Sequence, residues 1–267
     1  MLQASGELDD VPYKIEWSSF TSGPPQIEAL NAGQIDFAIT GNTPPIIGGP
    51  TNTKVVSAYN NDALGDVILV APDSSITSVA DLAGKKVAVA RGSSAHGHLI
   101  QQLEKAGVSV DDVEINLLKP SDAKAAFQNG QVDAWAVWDP YSSQAELEGA
   151  QVLVRGAGLV SGHGFGVASD EALDDPAKEA ALADFLDRVA DSYEWTEDNT
   201  DEWATIFSQE SGYDPEASQL NTRSLRHQVP LDESVNTCQN ALIDAFVSAG
   251  LVEDFTFEDT VDTRFEG

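Results

Sequence analysis

The sequence has little cysteine and lacks long hydrophobic runs. Its 267 residues include one cysteine, Cys238, which excludes an internal disulfide and a cysteine-based zinc cluster. The neighbours of Cys238 carry no positive charge that would activate its thiol. Apolar runs such as residues 67–71 are far shorter than the roughly 20 residues that a membrane helix requires. These absences predict no membrane span and leave the cellular compartment open.

Basic residues are also scarce. The chain carries 14 Lys and Arg against 44 Asp and Glu, which gives a formal net charge of −30 at pH 7. Because nucleic-acid binding requires clustered cations that neutralise phosphates, this charge argues against a broad nucleic-acid surface. Apolar residues make up 42% of the chain, enough to bury a large core in one domain or two lobes.

Targeting and catalytic motifs are missing as well. Residues 1–6 lack the basic and apolar regions of a signal peptide, so either the protein is cytoplasmic or its targeting segment lies outside this chain. The sequence contains no Gly-x-Ser-x-Gly elbow, His-Glu-x-x-His motif or Walker loop. A nucleophilic dyad of Ser93 or Ser94 with His96 is disfavoured, because side chains on one helix turn point poorly for proton transfer. We therefore expect no enzyme activity.

The most informative pattern that is present is an internal repeat. Residues 29–36 read ALNAGQID, and residues 126–133 read AFQNGQVD. Both copies predict a helix end, a glycine in the left-handed cap and a following apolar strand. Each strand then runs into a helix start, at residues 42–44 in the first copy and 139–140 in the second. The repeat favours two related lobes, although helix-glycine-strand units are common in α/β proteins.

Around the repeat, strands and helices alternate, which is typical of α/β architecture. The predicted strands are residues 35–40, 55–58, 67–70, 85–90, 113–118, 132–138 and 151–154. The predicted helices are residues 94–106, 121–129, 177–194 and 237–249, together with a short helix that opens on a capping box at 78–81. Five glycines between residues 156 and 166 predict a loop that crosses between the lobes.

Three strand ends that run into helix N-termini form a candidate anion site, at residues 40–43, 91–94 and 138–139. The carboxyl ends of strands face the ligand crevice of open α/β sheets, and helix N-termini bind anions through unpaired N–H groups. Ser93 and Ser94 are the sharpest candidates, because their hydroxyls can donate to an oxyanion. Plain helix capping explains any one of these sites, whereas three in one fold favour a shared cleft.

Histidines and aromatic residues adjoin these strand ends. His96 is expected to donate to the ligand, and a metal site with His98 is disfavoured because no third ligand is identified. Trp138 is expected to line the cleft, while Trp135 lies on the opposite face of its strand and is expected in the core. An aromatic wall beside an anion site suits an organic anion with an apolar part.

Taken together, these motifs resemble the aliphatic-sulfonate-binding proteins of ABC importers, which are related to taurine- and nitrate-binding proteins. The likeness runs in order from about residue 11 to the C-terminus, through residues 26–37, 40–45, 91–96, 133–140 and 158–163. It implies an α/β, two-lobed type II periplasmic-binding-protein fold with the ligand cleft between the lobes. It also implies hinge closure on a sulfonate, without chemistry, and delivery to a membrane permease driven by a separate ATPase.

By position, the resemblance assigns two groups of ligand-binding residues and no metal or cofactor. The sulfonate would be held by Gly41, Asn42, Thr43, Ser93, Ser94 and His96. The organic tail would be lined by Trp138, His163 and Phe165. Asp139 is interpreted as a helix cap or as a contact to a ligand amine. Because sulfonates only accept hydrogen bonds, the site is expected to contain donors and no buried unpaired carboxylate.

The resemblance also predicts the domain organisation and the location. The first lobe is expected to comprise residues 1–72 and 161–267, and the second lobe residues 73–160. Family members begin with a further strand and most of a helix, whereas this chain opens near the end of that helix, at residues 2–8. A periplasmic or extracellular monomer is expected, with a lipid anchor at the cell surface as one option.

Three alternatives stay open at this point. The same fold can bind nitrate, a sulfate ester or a thiamine-precursor pyrimidine. A pyrimidine-synthase-like enzyme would use histidine and metal, and turnover or iron dependence would support it. A detached sensor lobe of a signalling protein is the third alternative.

Overall fold

We describe the protein from a computed structural model, in which residues 1–266 are described. Its strands in chain order are β1 (Phe37–Gly41), β2 (Thr53–Asn60), β3 (Val67–Val70), β4 (Lys86–Val89), β5 (Glu114–Leu117), β6 (Ala134–Val137), β7 (Gln151–Arg155), β8 (His163–Ser169) and β9 (His227–Val229). Its helices are α1 (Leu2–Ser5), α2 (Gly23–Asn31), α3 (Pro44–Gly48), α4 (Ser94–Ala106), α5 (Pro120–Gln128), α6 (Tyr141–Leu147), α7 (Asp170–Asp174), α8 (Pro176–Asp198), α9 (Thr200–Ser211), α10 (Pro215–Asn221) and α11 (Glu233–Ser248). These elements form two mixed α/β lobes, each built on one sheet.

The sheet of the first lobe has the order β1-β8-β2-β9, and all of its strand pairs are antiparallel. Its second strand along the sheet, β8, occupies part of the segment predicted as a crossing loop, so the loop is confined to residues 156–162. The reason is packing: a Cβ atom at Gly164 would collide with the Tyr59 ring, and one at Gly166 would collide with Ser57. Glycine therefore serves close strand contact at these two positions, and not a turn.

The sheet of the second lobe has the order β5-β4-β6-β3-β7. Strand β4 pairs parallel with β5 and β6, whereas β3 lies antiparallel between β6 and β7. The expected border after residue 72 would place β3 in the first lobe, but its partners place it in the second. All four residues of β3 and of β6 are buried, which accounts for their continuous apolar sequences.

The two copies of the repeat fold alike. Gly33 and Gly130 both adopt the left-handed conformation, with φ of 65° and 66°. One residue later in each copy, the Gln34 N–H donates to the Ala29 carbonyl and the Gln131 N–H donates to the Ala126 carbonyl, both over 2.9 Å. The predicted glycine caps are therefore present in both lobes.

The predicted helices are present with small changes at their ends. Helix α4 has the predicted bounds, and α8 extends beyond its predicted range at both ends. The capping box of Ser78 and Asp81 forms, but it opens a 3₁₀ turn and not an α-helix. Within residues 1–266, no helix combines the length and hydropathy needed to cross a membrane.

The lobes meet along α4 and α11. Ile100 of α4 belongs to the same buried cluster as Leu242 and Phe246 of α11, and the ring centroids of His96 and Phe246 are 5.4 Å apart. Helix α10, which precedes α11 in the chain, packs against α9 and against α6 of the second lobe. The segment after β8 therefore contacts both lobes and encloses the space between them.

Candidate ligand cleft between the lobes

A cleft of about 780 Å³ lies between the two lobes. Its size falls within the range of about 300–1,000 Å³ that is usual for small-molecule sites. Both lobes contribute to its walls, with Thr40 and Gly41 from the first sheet and Trp138 from the end of the second sheet. The cleft therefore has the position expected for a two-lobed binding protein.

Most of the residues expected at the ligand do line this cleft. They are Gly41, Asn42, Ser93, Ser94, Trp138, Asp139 and His163. Three others, Thr43, His96 and Phe165, are not among its lining residues and are buried elsewhere. The carboxyl ends of the two repeated strands, β1 and β6, thus meet at one cleft.

The three residues outside the cleft have structural roles. The Thr43 hydroxyl donates to Asn42 Oδ1 over 2.9 Å, and Phe165 packs against Phe257 in the core of the first lobe, with ring centroids 5.1 Å apart. His96 Nδ1 accepts a hydrogen bond from the Gly92 N–H over 3.1 Å. Burial, with a smaller contribution from Arg91, lowers the pKa of His96 to about 4, so the ring is neutral and shapes the loop before α4.

The two serine hydroxyls at the start of α4 are bonded within the protein. Ser93 caps the helix, and its Oγ donates to the Ala90 carbonyl over 2.8 Å. The Ser94 Oγ donates to Asp66 Oδ1 over 2.8 Å. Both hydroxyl protons are therefore engaged within the protein. The first N–H groups of a helix have no intrahelical partner, so they are the donors that this end of α4 offers to an anion.

A second helix N-terminus, missed in the sequence, lines the same cleft. Ser22, Gly23 and Gln26, at the start of α2, face it. The Oε1 atom of Gln26 is buried and has no hydrogen-bond partner among residues 1–266. The signal for this site was visible, because Ser22-Gly23-Pro24-Pro25 combines a capping residue with prolines at the first helical positions.

Arg226 was also missed, and it supplies a positive charge to the cleft wall. Its guanidinium lies 4.6 Å from the centroid of the Tyr59 ring, next to Tyr193, and no carboxylate among residues 1–266 pairs with it. Burial lowers the pKa of Arg226, but Tyr59 and Tyr193 raise it above its ordinary value overall, so the group stays charged. The signal that could have identified Arg226 from sequence is that it is a basic residue in the acidic C-terminal half of the chain.

Asp139 is fully engaged by protein groups. Its Oδ2 accepts from Arg223 Nε over 2.9 Å and from Ser224 Oγ over 2.6 Å. Its Oδ1 accepts from the backbone N–H of Ser143 over 3.0 Å and from the hydroxyls of Ser142 and Ser143. Asp139 lies one residue before Pro140, the N-cap residue of α6, and satisfies the Ser143 N–H in the first turn of that helix. Of the two interpretations made from sequence, this geometry is closer to helix capping than to a contact with a ligand amine.

Asp66 departs from the expectation of a site without a buried unpaired carboxylate. It lines the cleft, is 7% exposed, and receives the hydrogen bond of Ser94 on one oxygen only. Burial raises the pKa of Asp66 to about 7, the Ser94 hydrogen bond opposes this rise, and the charge of Asp139 adds to it. The cleft thus contains an acid that titrates near neutral pH.

Aromatic side chains cover much of the remaining wall. Trp138 packs edge-on against Tyr141, with ring centroids 5.7 Å apart. The other aromatic residues of the cleft are Trp17, Phe20, Tyr59, Tyr193, Trp203 and Phe207. In the described part of the chain, no group of three or more His, Cys, Asp or Glu side chains is arranged to hold a metal ion. The cleft therefore combines backbone donors and one arginine with an aromatic surface.

Comparison with known protein families identifies the family of this chain. The model of the family described as the phosphonate periplasmic substrate-binding proteins of ABC transporters matches residues 9–215. The chain belongs to this family of ABC-transporter substrate-binding proteins. The family membership and fold implied by the sequence motifs are confirmed.

Two curated relatives are named for binding aliphatic sulfonates. One, from Escherichia coli K12, is 46% identical over 149 residues, which are 55% of this chain and 47% of the relative. The other, from Bacillus subtilis 168, is 32% identical over 259 residues, which are 94% of this chain and 77% of the relative. The match thus spans about half the length of the E. coli relative.

A solved structure has the same fold. The alkanesulfonate-binding protein SsuA from Xanthomonas axonopodis pv. citri, bound to MOPS, superposes with a TM-score of 0.88 at 32% identity. The superposition covers 94% of this chain and 88% of SsuA. The two-lobed periplasmic-binding-protein fold is therefore shared along nearly the whole chain.

Proposed function

We propose that this substrate-binding protein captures an aliphatic sulfonate in the cleft and delivers it to an ABC permease, without chemical change of the ligand. The observation that carries the proposal is the Arg226 guanidinium, which lines the cleft with no carboxylate partner among residues 1–266. A partly buried cation without a counter-ion is costly, and an anionic ligand supplies the missing partner.

The other walls of the cleft suit the two ends of such a ligand. A sulfonate carries one negative charge and only accepts hydrogen bonds, which fits the N-termini of α2 and α4 together with one arginine. The aromatic residues around Trp138 suit an organic substituent, for which nitrate has no counterpart. The names of the relatives and the MOPS bound to SsuA support this class of ligand.

Phosphonate is the second candidate, because the description of the matched family names it. A phosphonate carries up to two negative charges at neutral pH, whereas the cleft offers one unpaired arginine and holds the Asp66 carboxyl. The charge balance therefore favours the monoanion. We propose the same partners for either ligand, a membrane permease and its ATPase, and we propose that the binding protein acts as a monomer outside the cytoplasm.

The experiment is a calorimetric titration of the wild type with 1-propanesulfonate, propylphosphonate and nitrate. We expect the sulfonate to bind most tightly. Replacing a charged hydrogen-bond donor costs about 1.5–3 kcal/mol, so Arg226→Gln is expected to weaken sulfonate binding by about 10- to 100-fold. Arg91→Gln is the matched control, because Arg91 is exposed and does not line the cleft. Equal affinities of the two variants would contradict the proposal.

A further inference from the structure

The cleft contains two ionisable groups, one basic and one acidic, that have no charged partner. Arg226 pairs with no carboxylate, and Asp66 pairs with no lysine or arginine, among residues 1–266. No salt bridge joins them, although both line the same cleft. This contrasts with Asp139, whose carboxylate is held by Arg223 in the same wall. A buried charge that the protein leaves without a counter-ion is unfavourable until something else supplies one.

The surroundings of Asp66 leave one of its oxygens for a ligand. Its Oδ1 accepts from Ser94 Oγ over 2.8 Å, and its Oδ2 has no hydrogen-bond partner among residues 1–266. The residue is 7% exposed and is among those that line the cleft. Asp66 is therefore a mostly buried acceptor in the wall of the cleft, which is unsuited to a ligand that presents only oxyanions and alkyl groups.

On the premise of the proposed function, we propose that Asp66 determines specificity by selecting sulfonates that also carry an ammonium or a protonated amine. The sulfonate would then neutralise Arg226, and the cationic group would neutralise Asp66. The aromatic side chains of the cleft, among them Trp138 and Trp203, suit a cation as well as an alkyl chain. One zwitterionic ligand would thus satisfy both charges that the protein leaves open.

The proposal predicts opposite pH dependences for two ligands of equal size. Burial raises the pKa of Asp66 to about 7, so the carboxyl gains its charge as pH rises from 6 to 8. A ligand ammonium is bound more tightly once Asp66 is ionised, whereas a plain alkanesulfonate is bound less tightly. The other charged groups that influence this region are Asp139 with its partner Arg223, and in the wider cleft Arg226, His163 and the Met1 amino group.

The test compares 2-aminoethanesulfonate with 1-propanesulfonate, which differ by an ammonium in place of a methyl group. Calorimetry with the wild type is expected to show that the aminosulfonate binds more tightly at pH 8 than at pH 6. It is expected to show the opposite change for 1-propanesulfonate, which binds less tightly at pH 8 than at pH 6. At pH 8, Asp66→Asn is expected to weaken the aminosulfonate about tenfold and to leave 1-propanesulfonate unchanged or bound more tightly. Both pH trends are expected to flatten in this variant, because it lacks the Asp66 carboxyl. The variant retains Met1 and His163, so pH trends that persist in it would come from those groups and would contradict the inference.

Asp62→Asn is the matched control, since Asp62 lies in the same loop, is exposed and has a left-handed φ of 59° that asparagine tolerates. If Asp66→Asn weakens both ligands equally, or if the wild type does not prefer the aminosulfonate at pH 8, the inference is overturned while the proposed function stands. If neither sulfonate binds the wild type, the proposed function fails and the inference fails with it. If Asp66→Asn does not fold, a wild type that fails to prefer the aminosulfonate over 1-propanesulfonate at pH 8 still overturns the inference.

Discussion

Two arginines on the same segment have different surroundings. Arg223 belongs to a paired network in which it contacts Asp139 over 2.9 Å and Glu146 over 2.7 Å, and Glu146 also pairs with Arg155. Arg226, three positions later in the sequence, lines the cleft and lies over the Tyr59 ring without a carboxylate partner among residues 1–266. The chain contains three acidic residues for each basic one, so a missing acidic partner is not explained by composition.

The two arginines represent two kinds of charged group. Paired groups such as Arg223 stabilise the fold, whereas unpaired groups such as Arg226 remain available to bind a ligand. The paired network connects the segment after α10 to α6 of the second lobe, and its charges are paired by protein groups alone. Asp66 and Arg226 are satisfied only in part, and both face the cleft. Functional sites are where proteins retain such unsatisfied groups, at a cost in stability.

The largest expected effect is on stability, and it distinguishes the two arginines. Arg223→Gln leaves Asp139 and Glu146 without their shared cation, and Asp139 is almost fully buried, so we expect a loss of about 3 kcal/mol in the free energy of unfolding. Arg226→Gln removes the cost of an unpaired cation and also its favourable contact with the Tyr59 ring, so the two changes oppose each other and the free energy of unfolding is expected to change by less than about 0.5 kcal/mol. Urea unfolding of the ligand-free proteins measures both. Equal losses would mean that Arg226 also has a structural partner.

The next effect concerns affinity at the start of α4. Ser94→Asp places a second carboxyl beside Asp66, at the helix end that faces the ligand, and is expected to weaken sulfonate binding by at least about 100-fold. An acidic residue is compatible with the first turn of a helix, so the fold is expected to persist. Ser94→Ala is the control and is expected to bind within a few-fold of the wild type, because the hydroxyl proton already serves Asp66. Calorimetric titration with 1-propanesulfonate would contradict this account if the affinity of Ser94→Asp were unchanged.

Local features of the fold were predictable from the sequence. The glycine caps at Gly33 and Gly130, the bounds of α4 and the strand β3 all follow from interactions within a few residues along the chain. The convergence of β1 and β6 on one cleft was predictable from the repeat, since equivalent strand ends occupy equivalent edges of two related lobes.

Features that depend on distant contacts were not predictable. The segment that forms β8 reads as a loop until Gly164 is placed against Tyr59, a residue more than a hundred positions earlier. The apolar run of β3 predicts a strand but does not identify its partners, β6 and β7. His96 was expected to face the ligand, yet its ring packs between the Gly92 amide and Phe246 of the other lobe.

The charged residues of the cleft are the clearest example of features that the sequence does not predict. An aspartate that precedes an apolar strand is usually solvated, and nothing in the neighbouring sequence of Asp66 indicates that it is buried. Arg226 lies in a strongly acidic chain, where an ion pair is the simplest expectation. Only the arrangement in space shows that both groups line the cleft without a charged partner among the described residues.

The smallest expected effect is on the association rate of the ligand. Its salt dependence tests whether Arg226 and the helix ends attract the ligand only at short range. The net charge of −30 repels a sulfonate over the whole surface, and salt screens this repulsion beyond about 8 Å at physiological ionic strength. The association rate of 1-propanesulfonate, followed by stopped-flow tryptophan fluorescence, is therefore expected to rise about twofold as salt increases from low to physiological strength. The zwitterion 2-aminoethanesulfonate has no net charge, so its rate is expected to change little. Slower association of 1-propanesulfonate at higher salt would instead indicate that a basic entry path, for example along the exposed Arg91, attracts the anion from a distance.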